Sequence, residues 1–451
     1  MVSSHGPLIA VAAWMKRHAI WPVIAGKVSV PQKTVHYTPS EKLLAILITI
    51  LSGAEGLVEA NTRLEPDAAV WQAFGLPGCP DQSTLHRTLT ACTPQTVAAL
   101  RDALATLYRQ HGWAMQPPAG ARLLILDVDL TGLPCGAQAE AATKGYFPDA
   151  RGRRGRQVGR MVVAASGELL TDSVYPGKKQ LSAAFCELVT QAETVLSLAE
   201  APQRRATILL RADGGGGTEA EINWAVGRGY QVLTKLKNYQ RTTKLAASVR
   251  HWYADPTVTG RQVGLVEQPY GFAQPTLQVA VRWPQSERKQ RETVRIVVTT
   301  LAAPEIVASQ EPAGPCPPSP EQIAVAVAHA YDQRGGGIET QNRQDKQGLG
   351  LDKRNTRRLP AQEMLVLLAE LAHNILLWVR RDMVVVAPAW QAWGIERLVR
   401  DVLPISAVVT TGWFGRRDTL TLNARHPLSG PLRVALQAIA GSELVVNLRK
   451  I

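Results

Sequence analysis

The sequence predicts an α/β protein built around a mixed β-sheet, and three patterns along the chain support this class. Apolar residues recur every three or four positions through much of residues 1–120, which is typical of helices. From residue 121 onward, strand-length apolar runs alternate with helical patterns. Residues 241–310 carry short strands of alternating polarity, which predict an antiparallel β insertion.

The first 120 residues are predicted to form a helical domain, with helices at 41–51, 67–74 and 83–108. A loop rich in glycine and proline, at residues 75–81, precedes the last of these helices. That helix would begin with hydroxyl and basic side chains that can contact phosphates, namely Ser83, Thr84, His86 and Arg87. The spacing permits a helix-turn-helix-like arrangement, and a plain helical bundle explains it equally well.

Between residues 121 and 240 the predicted order is strand, strand, strand, helix, strand, helix, strand. Ser166 and Gly167 would join the second and third strands as a hairpin. In chain order the elements are expected at 123–130, 161–165, 169–175, 178–199, 207–213, from residue 218, and at 230–236. This order matches a ribonuclease H-like core, in which helices flank a mixed sheet.

The remaining elements are predicted with the same rules. Two strands of the insertion, at 277–282 and 293–300, precede a Pro-rich linker at 311–320. A helix is expected from 321 to 331, and the glycines at 335–337 should interrupt it because glycine is a poor helix former. Further elements are a helix at 360–381, strands at 407–411 and 419–423, and a helix at 432–440.

Composition excludes several classes of protein. The chain has 451 residues, a net charge of +13 and 45% hydrophobic residues, so it can bury a core and is not a disordered basic tail. The apolar run at 43–51 is too short to span a bilayer, and no secretory signal is evident. The five cysteines never stand in CxxC spacing, which argues against a zinc site. We expect a soluble intracellular protein whose partner is a polyanion.

Three aspartates follow or end predicted strands of one sheet. Asp127 and Asp129 lie two residues apart and therefore project from the same face, and Asp213 ends a further strand. Such carboxylates can converge to bind Mg²⁺ or Mn²⁺, and two ions can stabilise an in-line phosphoryl displacement. The alternative is that they are ordinary strand-end aspartates that cap loops. The glycines at 214–217 permit either a flexible turn or the close approach of a DNA backbone.

A further acidic residue lies in a distinctive segment that contains, in order, Tyr331, Arg334, Glu339 and Lys346. With it the chain resembles bacterial insertion-sequence transposases of the DDE class, in the group with a Tyr-Arg-Glu-Lys signature. The intervals from Tyr to Arg and from Glu to Lys fit that signature, but four residues instead of three separate Arg334 from Glu339. The extra residue would put these two about 140° apart on an ideal helix, and a break or bulge at the glycines could restore the geometry.

The resemblance implies a site residue by residue. Asp129, within the D-x-T element, would form the catalytic metal-binding triad with Asp213 and Glu339. Same-face geometry keeps Asp127 as a substitute for Asp129, and Asp345 is the alternative third carboxylate. The cofactor would be two Mg²⁺ or Mn²⁺ ions.

The same resemblance implies that Tyr331, Arg334 and Lys346 hold phosphates of the transposon end. Three basic groups flank the predicted carboxylates in sequence and are expected to line a groove for DNA. They are Arg151, Arg153, Arg154, Arg156 and Arg160; Lys235, Lys237 and their neighbours in 223–250; and Lys346, Lys353, Arg354, Arg357 and Arg358. Runs of charge are usually solvated faces. Trp252 and Trp283 could stack on an unpaired base, and core packing is the alternative.

Together these features predict a DNA transposase that cleaves the ends of its element in a metal-dependent reaction and joins the freed 3′-hydroxyl to target DNA. The alternatives are a metal-dependent nuclease of the same fold and a catalytically inactive DNA-binding derivative. Its partner would be double-stranded DNA bound by a homodimer, in the bacterial cytoplasm at the nucleoid. The expected regions are an N-terminal DNA-binding domain (1–120), the catalytic core (121–240 and 321–381), the β insertion with its linker (241–320) and a small C-terminal region (382–451).

Overall fold

The structure is a computed structural model of the chain. It describes residues 1–117, 120, 122–145, 147, 152–284, 293–310, 317–412 and 417–450.

The described residues form helices throughout the chain and strands mainly in its middle part. In chain order the helices are α1 (Gly6–Arg17), α2 (Ile20–Lys27), α3 (Pro39–Leu51), α4 (Ala68–Ala73), α5 (Gln82–Ala91), α6 (Pro94–His111), α7 (Leu181–Val195), α8 (Glu219–Gly227), α9 (Tyr239–Ala246), α10 (Ala303–Gln310), α11 (Pro320–Arg334), α12 (Thr340–Gly348), α13 (Leu359–Val386), α14 (Ile395–Arg397) and α15 (Ser429–Ala440).

The strands are β1 (Val2–Ser3), β2 (Leu124–Pro134), β3 (Thr143–Lys144), β4 (Arg154–Val163), β5 (Leu169–Pro176), β6 (Ile208–Ala212), β7 (Gln231–Lys235), β8 (Tyr253–Ala254), β9 (Gln262–Leu265), β10 (Leu277–Trp283), β11 (Thr293–Thr299), β12 (Ala407–Thr410), β13 (Asp418–Asn423) and β14 (Leu444–Arg449).

The central sheet has the predicted ribonuclease H-like arrangement. Its core strands lie in the order β5, β4, β2, β6, β7. Strands β2, β6 and β7 are parallel, and β4 runs antiparallel to both β2 and β5. The sequence-based fold class is therefore confirmed, including the hairpin between β4 and β5 and the crossovers that contain α7 and α8.

The β insertion continues the same sheet. Strand β11 pairs antiparallel with β7, and β10, β9 and β8 follow outward in an antiparallel meander. The two predicted insertion strands correspond to β10 and β11. Most of the predicted Pro-rich linker, residues 311–316, lies outside the described residues, and its last residue, Pro320, begins α11 behind a Ser319 capping box.

The N-terminal helices pack into one core with the long helix α13. Thr38 and Glu41 cap α3 reciprocally, and apolar side chains of α3, α5 and α6 belong to the same buried cluster as α13 and α15. The expected single helix at 83–108 is wrong: it is divided into α5 and α6, because Cys92 is extended and Pro94 begins a new helix capped by Thr93. Helix α13 is long and apolar enough to cross a membrane, but its side chains are almost all buried within the protein.

A second, smaller sheet joins the two ends of the chain. Strand β1 pairs with β12, β12 pairs with β13, and β14 adds in parallel beside β13. Strands β12 and β13 and helix α15 correspond to predicted elements. Strands β1 and β14 were not predicted, and β1 is too short for a period-two pattern to show.

Candidate active site

Three neighbouring inner strands of the central sheet place polar side chains in one row that runs across the strands. Val128 of β2 is in register with Ala212 of β6, and Ala212 is in register with Thr234 of β7. One position further along, the three parallel strands bring Asp129, Asp213 and Lys235 side by side. Asp213 follows β6 and Lys235 ends β7, so the row lies at the carboxyl ends of these two strands, where ligands commonly bind in α/β sheets, whereas β2 continues beyond Asp129 to Pro134.

Glu339 reaches the row through a helix that continues across the three glycines. Helix α11, a π turn at Gly335–Glu339 and helix α12 follow one another without a break. The expectation that the glycines interrupt the helix is wrong, because a π turn absorbs one extra residue while the helix axis continues. The alternative of a bulge is confirmed, and it accommodates the four-residue interval between Arg334 and Glu339.

Arg334 joins the carboxylates of the row to the π turn. Its Nη2 lies 3.1 Å from Asp129 Oδ2, and its Nη1 donates to Glu339 Oε1 at 3.4 Å. The arginine is buried, whereas the Glu339 side chain is 62% exposed and that of Asp129 is 17% exposed. Arg334 Nε has no hydrogen-bond partner in the part of the chain that the structure describes. One guanidinium thus holds two of the three predicted triad carboxylates together.

The electrostatics of Asp129 show that all three carboxylates share one neighbourhood. Burial raises the pKa of Asp129 to about 6, Arg334 opposes the rise, and the negative charges of Asp213 and Glu339 add to it. Asp129 Oδ1 accepts a hydrogen bond from the Leu130 backbone N–H at 2.9 Å, which fixes the carboxyl group at the strand.

Within the described part of the chain, no three His, Cys, Asp or Glu side chains are arranged as a ready metal site. The donor chemistry nevertheless fits a divalent cation. Carboxylate oxygens are hard ligands, and three carboxylates in one neighbourhood require a positive charge among them. The Arg334 guanidinium supplies that charge in this structure.

Asp127 has a structural partner. Arg211 of β6 is in register with it and donates twice, from Nε to Oδ1 at 2.6 Å and from Nη2 to Oδ2 at 2.9 Å. Arg211 Nη1 also donates to the Ala330 carbonyl of α11. Both oxygens of this fully buried carboxylate are occupied, which argues against Asp127 as the substitute for Asp129. A Cβ on Gly337 would lie 2.7 Å from Asp127 Oδ2, so the π turn needs glycine there to approach the pair.

Two of the four glycines after Asp213 are explained by packing. Asp213 Oδ1 accepts from the Gly215 backbone N–H at 2.7 Å and caps a short 3₁₀ turn. A Cβ on Gly217 would meet the Lys235 carbonyl oxygen at 1.6 Å, and one on Gly216 would meet Ala212 Cβ at 2.9 Å. Close packing at these two positions is a third explanation, different from the flexible turn and the DNA approach that the sequence suggested.

Asp345 is not available as the third carboxylate. Its side chain is fully buried, and its Oδ2 accepts a hydrogen bond from Arg160 Nη1 at 2.7 Å. Its other oxygen, Oδ1, lies 2.7 Å from His373 Nδ1. Arg160 also forms a bidentate pair with Asp172 on the neighbouring strand. Burial alone would raise the pKa of Asp345, but His373 and Arg160 hold it below its usual value. The role of Asp345 as an alternative ligand is therefore wrong, because its oxygens serve a buried ion-pair network.

Tyr331 and Lys235 lie together beside the carboxylate row. Lys235 Nζ stands 4.4 Å from the centre of the Tyr331 ring. Burial raises the pKa of Tyr331 to about 12, and burial together with Arg295 lowers that of Lys235 to about 8. Lys237 is exposed and donates to Gln180, and Lys346 lies half-buried on α12. Tyr331 is too buried to offer its ring to solvent.

The basic groups divide into exposed and buried members. Arg151 lies outside the described residues, and Arg153 and Arg154 are exposed. Arg156 is fully buried and donates to the carbonyl groups of Glu140, Thr356 and Arg357 and to Gln362. These partners argue against the DNA-binding role predicted for Arg156, because its donors are used inside the protein.

The two tryptophans of the insertion are half-buried and pair with arginines. Arg282 stacks on Trp252 with its Cζ 3.9 Å from the ring centre, and Arg295 lies 5.6 Å from that of Trp283. Each ring also packs at the border of a buried apolar cluster. Packing accounts for both side chains.

Sequence reasoning missed Arg211 and did not see that Arg160 is buried. The sequence contained an indication of both, because a single charged residue within an apolar strand needs a buried partner of opposite charge. Arg211 interrupts the apolar run of β6, and Asp172 interrupts that of β5 opposite Arg160.

Comparisons with known proteins give one family. A sequence model described as the transposase DDE domain, group 1, matches residues 1–444. No curated protein sequence matches the chain significantly. Seven chains of solved structures match it. One is the piggyBac transposase in a cryo-EM structure of its synaptic complex with hairpin DNA, with a TM-score of 0.48 and 11% sequence identity, over 88% of this chain and 79% of that chain.

Proposed function

The chain belongs to the family of the transposase DDE domain, group 1, and from this membership we propose that it cleaves DNA at the ends of a mobile element and joins them to target DNA. DDE transposases generally use divalent metal ions. For this chain we propose two Mg²⁺ or Mn²⁺ ions, with Asp129, Asp213 and Glu339 as their protein ligands.

One observation carries the proposal. Arg334 contacts both Asp129 and Glu339, at 3.1 Å and 3.4 Å, at the place where β2 brings Asp129 beside Asp213. The three carboxylates come from three separate elements, and the π turn is what directs Glu339 to the other two. A set of strand-end aspartates that merely cap loops would not need a glutamate from a distant helix.

The protein groups have distinct proposed roles. A bound divalent cation supplies Lewis-acid polarisation of the phosphoryl oxygen and lowers the pKa of water. Asp129 loses its proton near pH 6 and is therefore anionic at neutral pH. Arg334 balances the carboxylate charge before metal binds, and its guanidinium is then proposed to move and donate to a phosphate oxygen. Lys235, at the end of the row, adds positive charge beside the scissile phosphate.

The reaction proposed has two displacements at phosphorus. In the first, a water oxygen attacks, the bond from phosphorus to the 3′-oxygen breaks, and a free 3′-hydroxyl is produced. In the second, that hydroxyl attacks a target phosphodiester, a new P–O bond forms, and a target 3′-hydroxyl leaves. No covalent bond to the protein is required.

DNA contacts outside the row are proposed for the exposed basic residues. Within the described residues, the exposed members of the three predicted basic groups include Arg153, Arg154, Lys237, Lys353, Arg357 and Arg358. Residues 1–120 are proposed to take part in DNA binding as well, with two chains holding two element ends. A location at the bacterial nucleoid stays a prediction.

Cleavage of DNA that carries the sequences flanking the gene tests the proposal. Wild type should cleave at the element ends in Mg²⁺ or Mn²⁺, and Asp213→Asn and Glu339→Gln should each lose activity by about a hundredfold or more. Glu321→Gln, an exposed carboxylate on α11, is the matched control and should keep full activity. Circular dichroism confirms that each variant is folded.

Three results would contradict the proposal. Cleavage without joined product would show a nuclease, and a folded Glu339→Gln variant as active as wild type would remove Glu339 from the site. If wild type binds DNA but neither cleaves it nor binds Mn²⁺ in calorimetry, the chain is the inactive DNA-binding derivative.

A further inference from the structure

A cavity of about 370 Å³ lies between the N-terminal helices and the segment that joins α12 to α13. Its walls come from the loop before α4, the first turns of α5, and residues 353–356. Its polar side chains are Gln82, Ser83, His86, Lys353, Arg354, Asn355 and Thr356. None of the lining residues in the described part of the chain is acidic, so the charge of this cavity is positive.

Arg354 is the feature of this cavity that needs an explanation. The residue is 5% exposed, and its guanidinium donates to the carbonyl groups of Leu349, Ala54 and Thr49. Among the described residues, its Nε has no hydrogen-bond partner and its guanidinium forms no ion pair with a carboxylate. Burial lowers the pKa of Arg354 to about 10, and Glu59 and Glu55 oppose this only from a distance.

A buried guanidinium normally has a carboxylate or another anion as its partner, because an unpaired charge is costly to remove from water. Arg354 lines an open cavity together with Lys353 and the exposed His86, although its Nε atom itself is buried. The first backbone amides of α5 do not supply the recognition, since Gln82 N–H donates to Asn61 and Ser83 N–H to Asp81. Side chains therefore define this site.

We propose that this cavity binds a phosphate group of the DNA backbone, with Arg354 at its base and Lys353 and His86 at its mouth. The inference rests on the proposed function for the identity of the polyanion. The segment with Lys353 and Arg354 follows α12, which carries Lys346, and therefore connects a phosphate held here to the helix of Glu339. A backbone contact at this place fixes the position of DNA relative to the carboxylate row without reading its sequence.

The test uses the full chain and a DNA duplex that contains one element end. Lys353→Gln and His86→Gln change exposed side chains and should fold normally, which Arg354 variants need not do. Arg433→Gln, an exposed arginine on α15 outside the cavity, is the matched control. DNA affinity is measured by fluorescence anisotropy over a series of salt concentrations.

Lys353→Gln should weaken DNA binding about three- to tenfold, equally for element-end and unrelated duplexes, and should reduce the slope of log K against log[salt] by about one. His86→Gln should have a smaller effect in the same direction, and Arg433→Gln should behave as wild type. These readouts do not depend on cleavage. They therefore support the inference even if the chain proves unable to cut DNA.

Two outcomes would overturn it. If Lys353→Gln and Arg433→Gln have the same affinity and salt slope, the cavity does not hold the DNA backbone. If inorganic phosphate raises the Tm of wild type but not of Lys353→Gln while DNA affinity is unchanged in that variant, the site takes free phosphate instead of DNA.

Discussion

Glu370 on α13 gives the protein a pH dependence whose size follows from its surroundings. The side chain is buried, and its Oε2 accepts a hydrogen bond from the Asp172 backbone N–H at 2.9 Å. Burial and the nearby charge of Asp172 raise the pKa of Glu370 to about 8, from an ordinary value of 4.5. The folded protein therefore keeps this carboxyl group protonated at neutral pH.

Between pH 4.5 and pH 8 the unfolded chain loses this proton while the folded chain retains it. The folded state binds more protons in that window, so the free energy of unfolding falls as pH rises, by about 1.4 kcal/mol per pH unit. Glu370→Gln has the same shape and cannot ionise. The stability of the variant relative to wild type should increase by roughly 2 to 3 kcal/mol between pH 5 and pH 7.

Urea unfolding of both proteins at pH 5, 6 and 7 measures this difference. Glu200→Gln, an exposed glutamate, is the control, and its difference from wild type should not change with pH. A difference between Glu370→Gln and wild type that stays constant from pH 5 to pH 7 would refute the reasoning, because Glu370 would then titrate alike in the folded and unfolded states.

Two further pairs of substitutions test the account of the site. Gly336→Ala should raise the free energy of unfolding by roughly 1 kcal/mol, because alanine favours the helix and an added Cβ has nothing within 4 Å. Gly337→Ala should lower the free energy of unfolding by about 1 to 3 kcal/mol, because its Cβ would meet Asp127. Equal effects of the two substitutions in thermal unfolding would contradict the π-turn geometry. Arg156→Gln should lower the free energy of unfolding by about 3 kcal/mol, because several buried carbonyl groups lose their donor. Arg153→Gln should change the free energy of unfolding by less than about 0.5 kcal/mol and should weaken DNA binding instead. The reverse pattern in unfolding and anisotropy measurements would show that Arg156 is the DNA contact.

Much of the fold could be predicted because each core strand carries its own local signal. The apolar runs of β2 and β6 and the hairpin of β4 and β5 are visible in the sequence, and their order leaves few topologies. The division between α5 and α6 was visible at Pro94 but was outweighed by the helical period on both sides. The pairing of β1 with β12 joins residues about 400 apart in sequence, and no local pattern indicates such a contact.

The carboxylate residues of the candidate site could be predicted from the sequence. The sequence did not show which basic residues are buried against them. Asp213 stands at the end of a predicted strand, and Glu339 lies in the segment with the Tyr-Arg-Glu-Lys signature. The clusters of arginine, in contrast, look uniform in sequence, although Arg156 is fully buried and Arg153 is exposed. Burial of a basic residue depends on carbonyl groups and carboxylates that come from distant segments, so tertiary structure alone separates the two kinds.

We propose that Asp129, Asp213 and Glu339 bind catalytic metal ions once Arg334 no longer neutralises them. Anomalous diffraction from crystals of the protein with Mn²⁺ and element-end DNA measures this directly. We expect manganese peaks within coordination distance of carboxylate oxygens of all three residues, with Arg334 moved toward a phosphate. Peaks at Asp127 or Asp345, or no peak beside a fully formed Arg334 to Asp129 ion pair, would contradict it.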